Sequence, residues 1–249
     1  MAHSVEIAGL CLEIDGKTIL DGIDLTVEKG EFIAVVGPNG SGKTSLLRCL
    51  DFLNSDWTGS ISLCGKDLRN LSRRELARTV AYVPQQLGDL PDYSVRQFVE
   101  LSRYAWDGDD GAVDNALSAV GMSDFADRRL STLSGGELQK VSIASALAQE
   151  TEVVLLDEPT AFLDPKYSQQ VWRLLADMKS NGGRTIIAVT HDLNSACATA
   201  DRICGLKDGK VFALLPSAEF MDCKGLESLF NAKFDIIQMQ GGAKRIFLD

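Results

Sequence analysis

With 249 residues, 45% of them hydrophobic and 24% charged, the chain has the make-up of an ordinary soluble globular protein, with room for one large domain or a core and a smaller subdomain. Its formal net charge of −10 argues against a broad nucleic-acid or anionic-membrane surface, because neutralising phosphates needs clustered Lys and Arg. A small basic pocket for one nucleotide stays compatible with that balance. The cysteines, Cys11, Cys49, Cys64, Cys197, Cys204 and Cys223, form no CxxC pair and read as buried thiols in a reducing compartment. The start, "MAHSVEIAGL", lacks a basic stretch followed by an apolar core, so no export signal is expected. No uncharged apolar run approaches the ~20 residues a membrane helix needs. A cytosolic protein is expected, one that reaches a membrane only through a partner.

In chain order, "VEIAGLCLEIDGKTILDGIDLTV" alternates apolar and polar residues around an Asp15-Gly16 turn and predicts antiparallel strands, with a change of phase at Gly9 that suits a bulge. "FIAVVG" (Phe32 to Gly37) is a short continuous apolar run, as expected of a strand covered on both faces, and "EVVLLD" and "TIIAVT" repeat the pattern further on. Helical segments alternate with these runs, which predicts a parallel sheet with helices on both sides. From Leu87 to Thr132 only helix and polar loop are expected, so 87–132 reads as a helical subdomain inserted between 1–86 and 133–249 of an α/β core. "CGLKDGKVFALL" predicts a hairpin around Asp208-Gly209. The last segment reads as a short helix, "AKFDIIQMQ" and a strand-like "KRIFL".

"GPNGSGKT" fits G-x-x-x-x-G-K-[ST] between a predicted strand and a helical "SLLRCLDFL". Such a loop turns backbone N–H groups inward around phosphates: Gly37, Pro38, Asn39, Gly40, Ser41 and Gly42 form it, and Ser45 follows in the helix start. Lys43 would reach the β- and γ-phosphates and Thr44 would ligate Mg²⁺. Asp157 and Glu158 close the "VVLLDEP" strand. Successive strand residues face opposite ways, so Asp157 is read as holding Mg²⁺ through water and Glu158 as the general base toward the attacking water. Gln85 ends "AYVPQQ" where the insertion begins and could touch Mg²⁺ or that water. His191 ends "TIIAVTH" and could bond the γ-phosphate. A loop glutamine and a structural histidine are the plainer readings of these two.

A second glycine turn, "LSGGE", remains. Ser134 and Glu137 make a capping box, which leaves Gly135 and Gly136 unexplained, since each glycine costs a helix about 1 kcal/mol against Ala. Bare glycines at a helix start make sense where a phosphate must approach the backbone. One loop already serves the chain's own ATP, so this turn is read as binding ATP held by another copy in a head-to-tail dimer.

The ordered motifs "GPNGSGKT" (Walker A), "VPQQ" (Q-loop), "LSGGE" (signature), "VVLLDEP" (Walker B), "AFLD" (D-loop) and "THD" (switch histidine) resemble the ATP-binding subunit of ABC transporters, from about Val5 to Val211. The resemblance implies a P-loop NTPase with an N-terminal antiparallel β subdomain and an inserted helical subdomain. It implies an ATP- and Mg²⁺-dependent dimer that drives a membrane permease from its inner face. Ser134 and Gly136 would contact the γ-phosphate in trans, and Asp164 would signal between sites besides capping a helix ahead of Pro165. The chain departs from the family's pattern at Ile14, where an aromatic usually stacks on adenine, and at Glu137, where Gln is commonest.

Within the family, "RRELARTVAYVPQQ", "SVRQFVELSRYAW", "PTAFLDP" and "HDLNSACATADRI" look most like importers of ferric siderophores, haem and cobalamin, although Ser102 stands for a Gly and "AW" for "PH". That likeness implies a substrate-binding protein as an indirect partner and a groove over Leu87 to Trp106 for a permease coupling helix. The competing reading is a soluble ABC ATPase of the iron–sulfur assembly type. A two-cassette translation factor and a phosphoryl-transfer kinase fit less well, the latter having no use for "LSGGE".

Overall fold

The computed structural model describes residues 3–88, 92–108, 111–221, 225–238 and 244–248, so Cys223 lies outside the described residues. The chain runs through β1 (His3–Ile14), β2 (Lys17–Glu28), β3 (Phe32–Val36), α1 (Lys43–Leu50), β4 (Trp57–Leu63), β5 (Lys66–Asp67), α2 (Arg73–Thr79) and β6 (Val80–Val83). Next come α3 (Val95–Leu101), α4 (Ala112–Ala119), α5 (Gly135–Ala148), β7 (Val153–Asp157), α6 (Pro165–Gly182), β8 (Thr185–Val189) and α7 (Leu193–Thr199). The hairpin β9 (Arg202–Lys207) and β10 (Lys210–Pro216) leads to α8 (Ser217–Phe220), α9 (Gly225–Phe230), β11 (Phe234–Gln238) and β12 (Lys244–Leu248).

β1 and β2 pair antiparallel, and their register slips between Ile7 and Leu10, where Gly9 takes φ 57°. That bulge puts Val5 and Ile7 before it, and Leu10 and Leu12 after it, on the same buried side. β4 and β5 complete this four-stranded sheet in the order β2-β1-β4-β5. The second sheet has the order β10-β9-β3-β8-β7-β6, parallel throughout except for β10. Every residue of β3, β7 and β8 is buried, which is why their sequences read as unbroken apolar runs rather than alternating ones.

One core lies between the antiparallel sheet, α1 and one face of the parallel sheet, and includes Leu25, Leu47, Ile33 and Leu155. A second covers the other face, where Trp172 of α6 stacks on Phe32 at 6.1 Å between ring centroids. A third belongs to the helical insertion, built from Val95, Val99, Val113 and Leu117. α5 serves two of them: Val141, Ala144 and Ala148 face the insertion, while Ile143 and Ala146 face the sheet. A helix apolar on both sides is a helix buried on both sides. α5 therefore ties α3 and α4 to the sheet.

One expectation needs correction. The described cysteines are all free, but only Cys49 and Cys204 are buried; Cys11, Cys64 and Cys197 are half-buried, Cys64 and Cys197 packing against the margins of the two sheet cores. Within "AKFDIIQMQ", Phe234–Gln238 is a strand paired antiparallel with β12. No helix among the described residues is long and apolar enough to cross a membrane.

Candidate active site

The phosphate loop links the end of β3 to α1. Gly37 takes φ 152°, and a Cβ there would meet the Leu206 carbonyl oxygen at 2.0 Å; Gly42 takes φ 101°, and its Cβ would meet the Ile19 carbonyl oxygen at 2.9 Å. Neither position admits a side chain without backbone movement, so the loop's path depends on both glycines. Within it, the Lys43 ammonium donates to the Gly37 and Pro38 carbonyls, each at 2.9 Å. Burial pushes the Lys43 pKa down, against the pull of the Glu158 and Asp157 carboxylates. Asn39 and Gly40 form the exposed tip, and Ser45 is half-buried in the first turn of α1. The Ser41 hydroxyl is buried with no hydrogen-bond partner among the described residues, an orphaned group inside a loop shaped for an anion.

At the end of β7 the two acids turn to different partners. Asp157 is buried and receives the Thr44 hydroxyl on Oδ1 at 3.2 Å and the Tyr82 hydroxyl on Oδ2 at 3.4 Å. Burial pushes its carboxyl pKa up. A buried carboxylate beside a hydroxyl offers hard oxygen donors, and these residues fit Mg²⁺. Glu158 turns away through a left-handed backbone, φ 49°, costing about 1–2 kcal/mol for a residue with a Cβ. Its N–H donates to the Val189 carbonyl at 2.9 Å, which fixes that turn to the end of β8. Its carboxylate then accepts from Gln85 Nε2 at 3.0 Å and from His191 Nε2 at 2.8 Å. The strain directs Glu158 into the clamp that a plain strand continuation would miss.

The signature turn forms the expected capping box. Ser134 donates its N–H and its hydroxyl to Glu137 Oε2, both at 2.7 Å, and the Glu137 N–H donates back to Ser134 Oγ at 3.4 Å. Those Ser134 donors, its backbone N–H first, hold the Glu137 carboxylate below the usual range. Gly135 leaves open space where its Cβ would be, and Gly136 faces Leu163 of the D-loop. Asp164 accepts from the Tyr167 N–H at 3.0 Å and caps α6 ahead of Pro165.

Thus Thr44, Asp157, Glu158, Gln85 and His191 come together on one sheet edge with the phosphate loop. Ser134–Glu137 and Asp164 form a separate group, joined through Gly136 and Leu163. Gln85 and Gly135 share the lining of a cleft of about 240 Å³. A larger cavity of about 1150 Å³ lies away from the phosphate loop, along α6 and α7. Ile14 is 42% exposed at the end of β1. Sequence reasoning missed Tyr82, whose hydroxyl reaches Asp157 from the neighbouring strand; the tyrosine inside an apolar "VAYV" was the available signal, but only the β6–β7 pairing gives it a target.

A parallel sheet that delivers a glycine loop with its lysine and threonine, a buried aspartate and a clamped glutamate to one edge defines a nucleoside-triphosphate-hydrolysing P-loop protein. The ABC transporter family matches residues 20–161, more than half of the chain, and the chain belongs to that family. It is 36% identical over 244 residues to the petrobactin import ATP-binding protein FpuD of Bacillus anthracis, covering 95% of this chain and 89% of that protein. It is 34% identical to the ferric enterobactin transport ATP-binding protein FepC of Escherichia coli, covering 88% and 84% respectively. Among solved structures it resembles a dimeric post-hydrolysis ATP-binding cassette bound to ADP and Pi, with a TM-score of 0.78 at 28% identity over 86% of this chain and 98% of that one. It also resembles cbiO1 of Clostridium perfringens, part of the ABC transporter complex cbiONQ, with a TM-score of 0.78 at 29% identity over 92% and 94%. The chain is an ABC ATPase.

Proposed function

We propose that the chain is the ATP-binding and hydrolysing subunit of an ABC importer for an iron chelate, siderophore or haem, or for cobalamin. The observation that carries the ATPase chemistry is the clamping of Glu158 between Gln85 and His191, beside Thr44 and Asp157. The import reading draws on the relatives: those reported above are import or transport subunits matched over most of their length, and nothing favours the iron–sulfur assembly alternative.

The phosphate loop, Gly37–Ser45, receives the phosphates of ATP, and Lys43 moves from its own loop carbonyls to the β- and γ-phosphates. Thr44, Asp157 and Gln85 would hold Mg²⁺, which would neutralise phosphate charge when bound. Glu158 accepts the proton of the attacking water, and Gln85 and His191 hold its carboxylate in place. On release from Glu158, the His191 Nε2–H can bond the γ-phosphate instead. In a homodimer, Ser134–Glu137 at the start of the fourteen-residue α5 presents backbone N–H groups and a helix dipole to the partner's γ-phosphate, and Asp164 passes the state of one site to the other.

Residues 1–86 and 133–249 act as the catalytic core and 87–132 as the inserted subdomain. Leu101, Tyr104 and Tyr93 are 51%, 64% and 38% exposed there, an apolar surface suited to a permease loop. Because Gln85 stands where the insertion begins, a shift of the insertion alters the grip on Glu158, and so couples permease position to hydrolysis. The protein works at the inner face of the cell membrane through that permease, with a substrate-binding protein as indirect partner and no nucleic acid.

Affinity purification of the tagged protein from gently solubilised native membranes, with mass spectrometry of its partners, tests this reading. A polytopic permease at near-equal stoichiometry is expected, with a companion binding protein that narrows the cargo. Recovery of soluble scaffold proteins alone contradicts transport and leaves the ATPase chemistry standing.

A further inference from the structure

We propose that Lys140 and Tyr167 form a latch that locks the signature turn to the D-loop, so that each protomer offers both to its partner's ATP as one rigid surface. The latch rests on the trans reading of Ser134–Glu137, and its two members are positioning residues that touch no substrate.

The Lys140 ammonium lies 3.4 Å from the centroid of the Tyr167 ring. Lys140 stands on α5 two turns after Ser134, and Tyr167 stands in the first turn of α6. The Tyr167 N–H also holds the Asp164 side chain at 3.0 Å. One residue therefore grips the D-loop with its backbone and the signature helix with its ring. At the other end of the same junction, a Cβ on Gly136 would lie 3.4 Å from Leu163 Cδ2 and 3.8 Å from the Phe162 carbonyl oxygen. Beyond these contacts the helices separate around a cleft of about 450 Å³, lined by Ser118, Gly121, Lys140, Tyr167, Gln170 and Leu174. α5 packs into the insertion on one side, so movement of the insertion tilts it. Without the latch, the signature turn and the D-loop sample relative positions that do not match a partner surface. Glu137, one turn from Lys140, does not replace the ring, because its carboxylate is taken by the Ser134 N–H and hydroxyl.

Tyr167 is 36% exposed, so one cation–π contact shifts the aligned population by about two- to fivefold. Apparent affinity falls with the fraction of competent molecules, and a symmetric dimer contains the latch twice. In the full-length Glu158→Gln protein, ATP-driven dimerisation followed by analytical ultracentrifugation should weaken by about five- to twentyfold on Tyr167→Leu or Lys140→Met. The double substitution should add nothing beyond either single one, since both remove the same contact. Tyr167→Phe and Lys140→Arg keep ring and cation and should stay within about twofold of the parent. ATP binding to the isolated monomer should not move in any variant. Full additivity of the two losses, or a Tyr167→Phe loss as large as that of Tyr167→Leu, overturns the latch. A parent that fails to dimerise with ATP at all removes the trans reading, and the latch falls with it.

Discussion

Glu158→Gln is expected to bind ATP as the unmodified protein does, yet to lose hydrolysis by about a hundredfold to ten-thousandfold, the range set by loss of a positioned general base. The substitution keeps volume and shape. The amide oxygen can still accept from His191, and the amide NH2 can donate to Gln85 once Gln85 turns its own oxygen inward, so the geometry of the sheet edge, where these partners lie 2.8 and 3.0 Å from the two carboxylate oxygens, survives. What disappears is the ability to accept a proton. The neighbouring Asp157 cannot substitute, because its carboxylate is turned toward Thr44 and Tyr82. With hydrolysis stopped and binding intact, the closed dimer has no way to reopen and should accumulate. Single-turnover hydrolysis together with sedimentation checks both halves; rapid turnover without a dimer would reverse the assignment of Glu158.

Lys43→Ala is expected to weaken ATP binding by about tenfold to a hundredfold, as follows from losing charged hydrogen bonds to phosphate. In the structure the ammonium is buried and satisfied only by two carbonyls of its own loop. On ATP binding the ammonium exchanges these neutral carbonyl acceptors for charged phosphate oxygens, which form the stronger bonds. Removing it also takes the cation from the Gly37 and Pro38 carbonyls, although the Pro38 carbonyl keeps the Ser41 N–H at 3.3 Å. Isothermal titration with ATP measures the loss, and an unchanged affinity would count against the phosphate-loop role.

What could be read from the sequence was mainly what is local. The bulge at Gly9, the strand–loop–helix around Gly37–Ser45, the capping box at Ser134 and Glu137, and the hairpin at Asp208-Gly209 each depend on residues within a few positions of one another. The joining of Thr44 to Asp157, 113 residues apart, was legible only because the chemistry of a nucleotide site needs both. Contacts without such a chemical demand stayed hidden. Tyr82 reaches Asp157 because β6 lies beside β7, and nothing in "VAYV" states which strand is its neighbour. The double burial of α5 was equally silent, since an apolar helix does not say which of its faces meets which core. The clamp on Glu158 depends on a left-handed turn that the pair "DE" does not announce, and the Lys140–Tyr167 contact joins two helices that the sequence separates by a whole strand.

The account turns on a second phosphate-binding turn that serves another copy's ATP, and mixing two defective variants tests that directly. Lys43→Ala removes the phosphate loop's grip and leaves the signature turn intact; Ser134→Arg blocks the signature turn and leaves the loop intact. Each alone should form no ATP-closed dimer in the Glu158→Gln background. Mixed, they should pair so that the intact loop of one faces the intact turn of the other, rebuilding one of the two shared sites and trapping nucleotide there. A mixture that traps no more nucleotide than either variant alone would mean that loop and turn do not meet across a dimer.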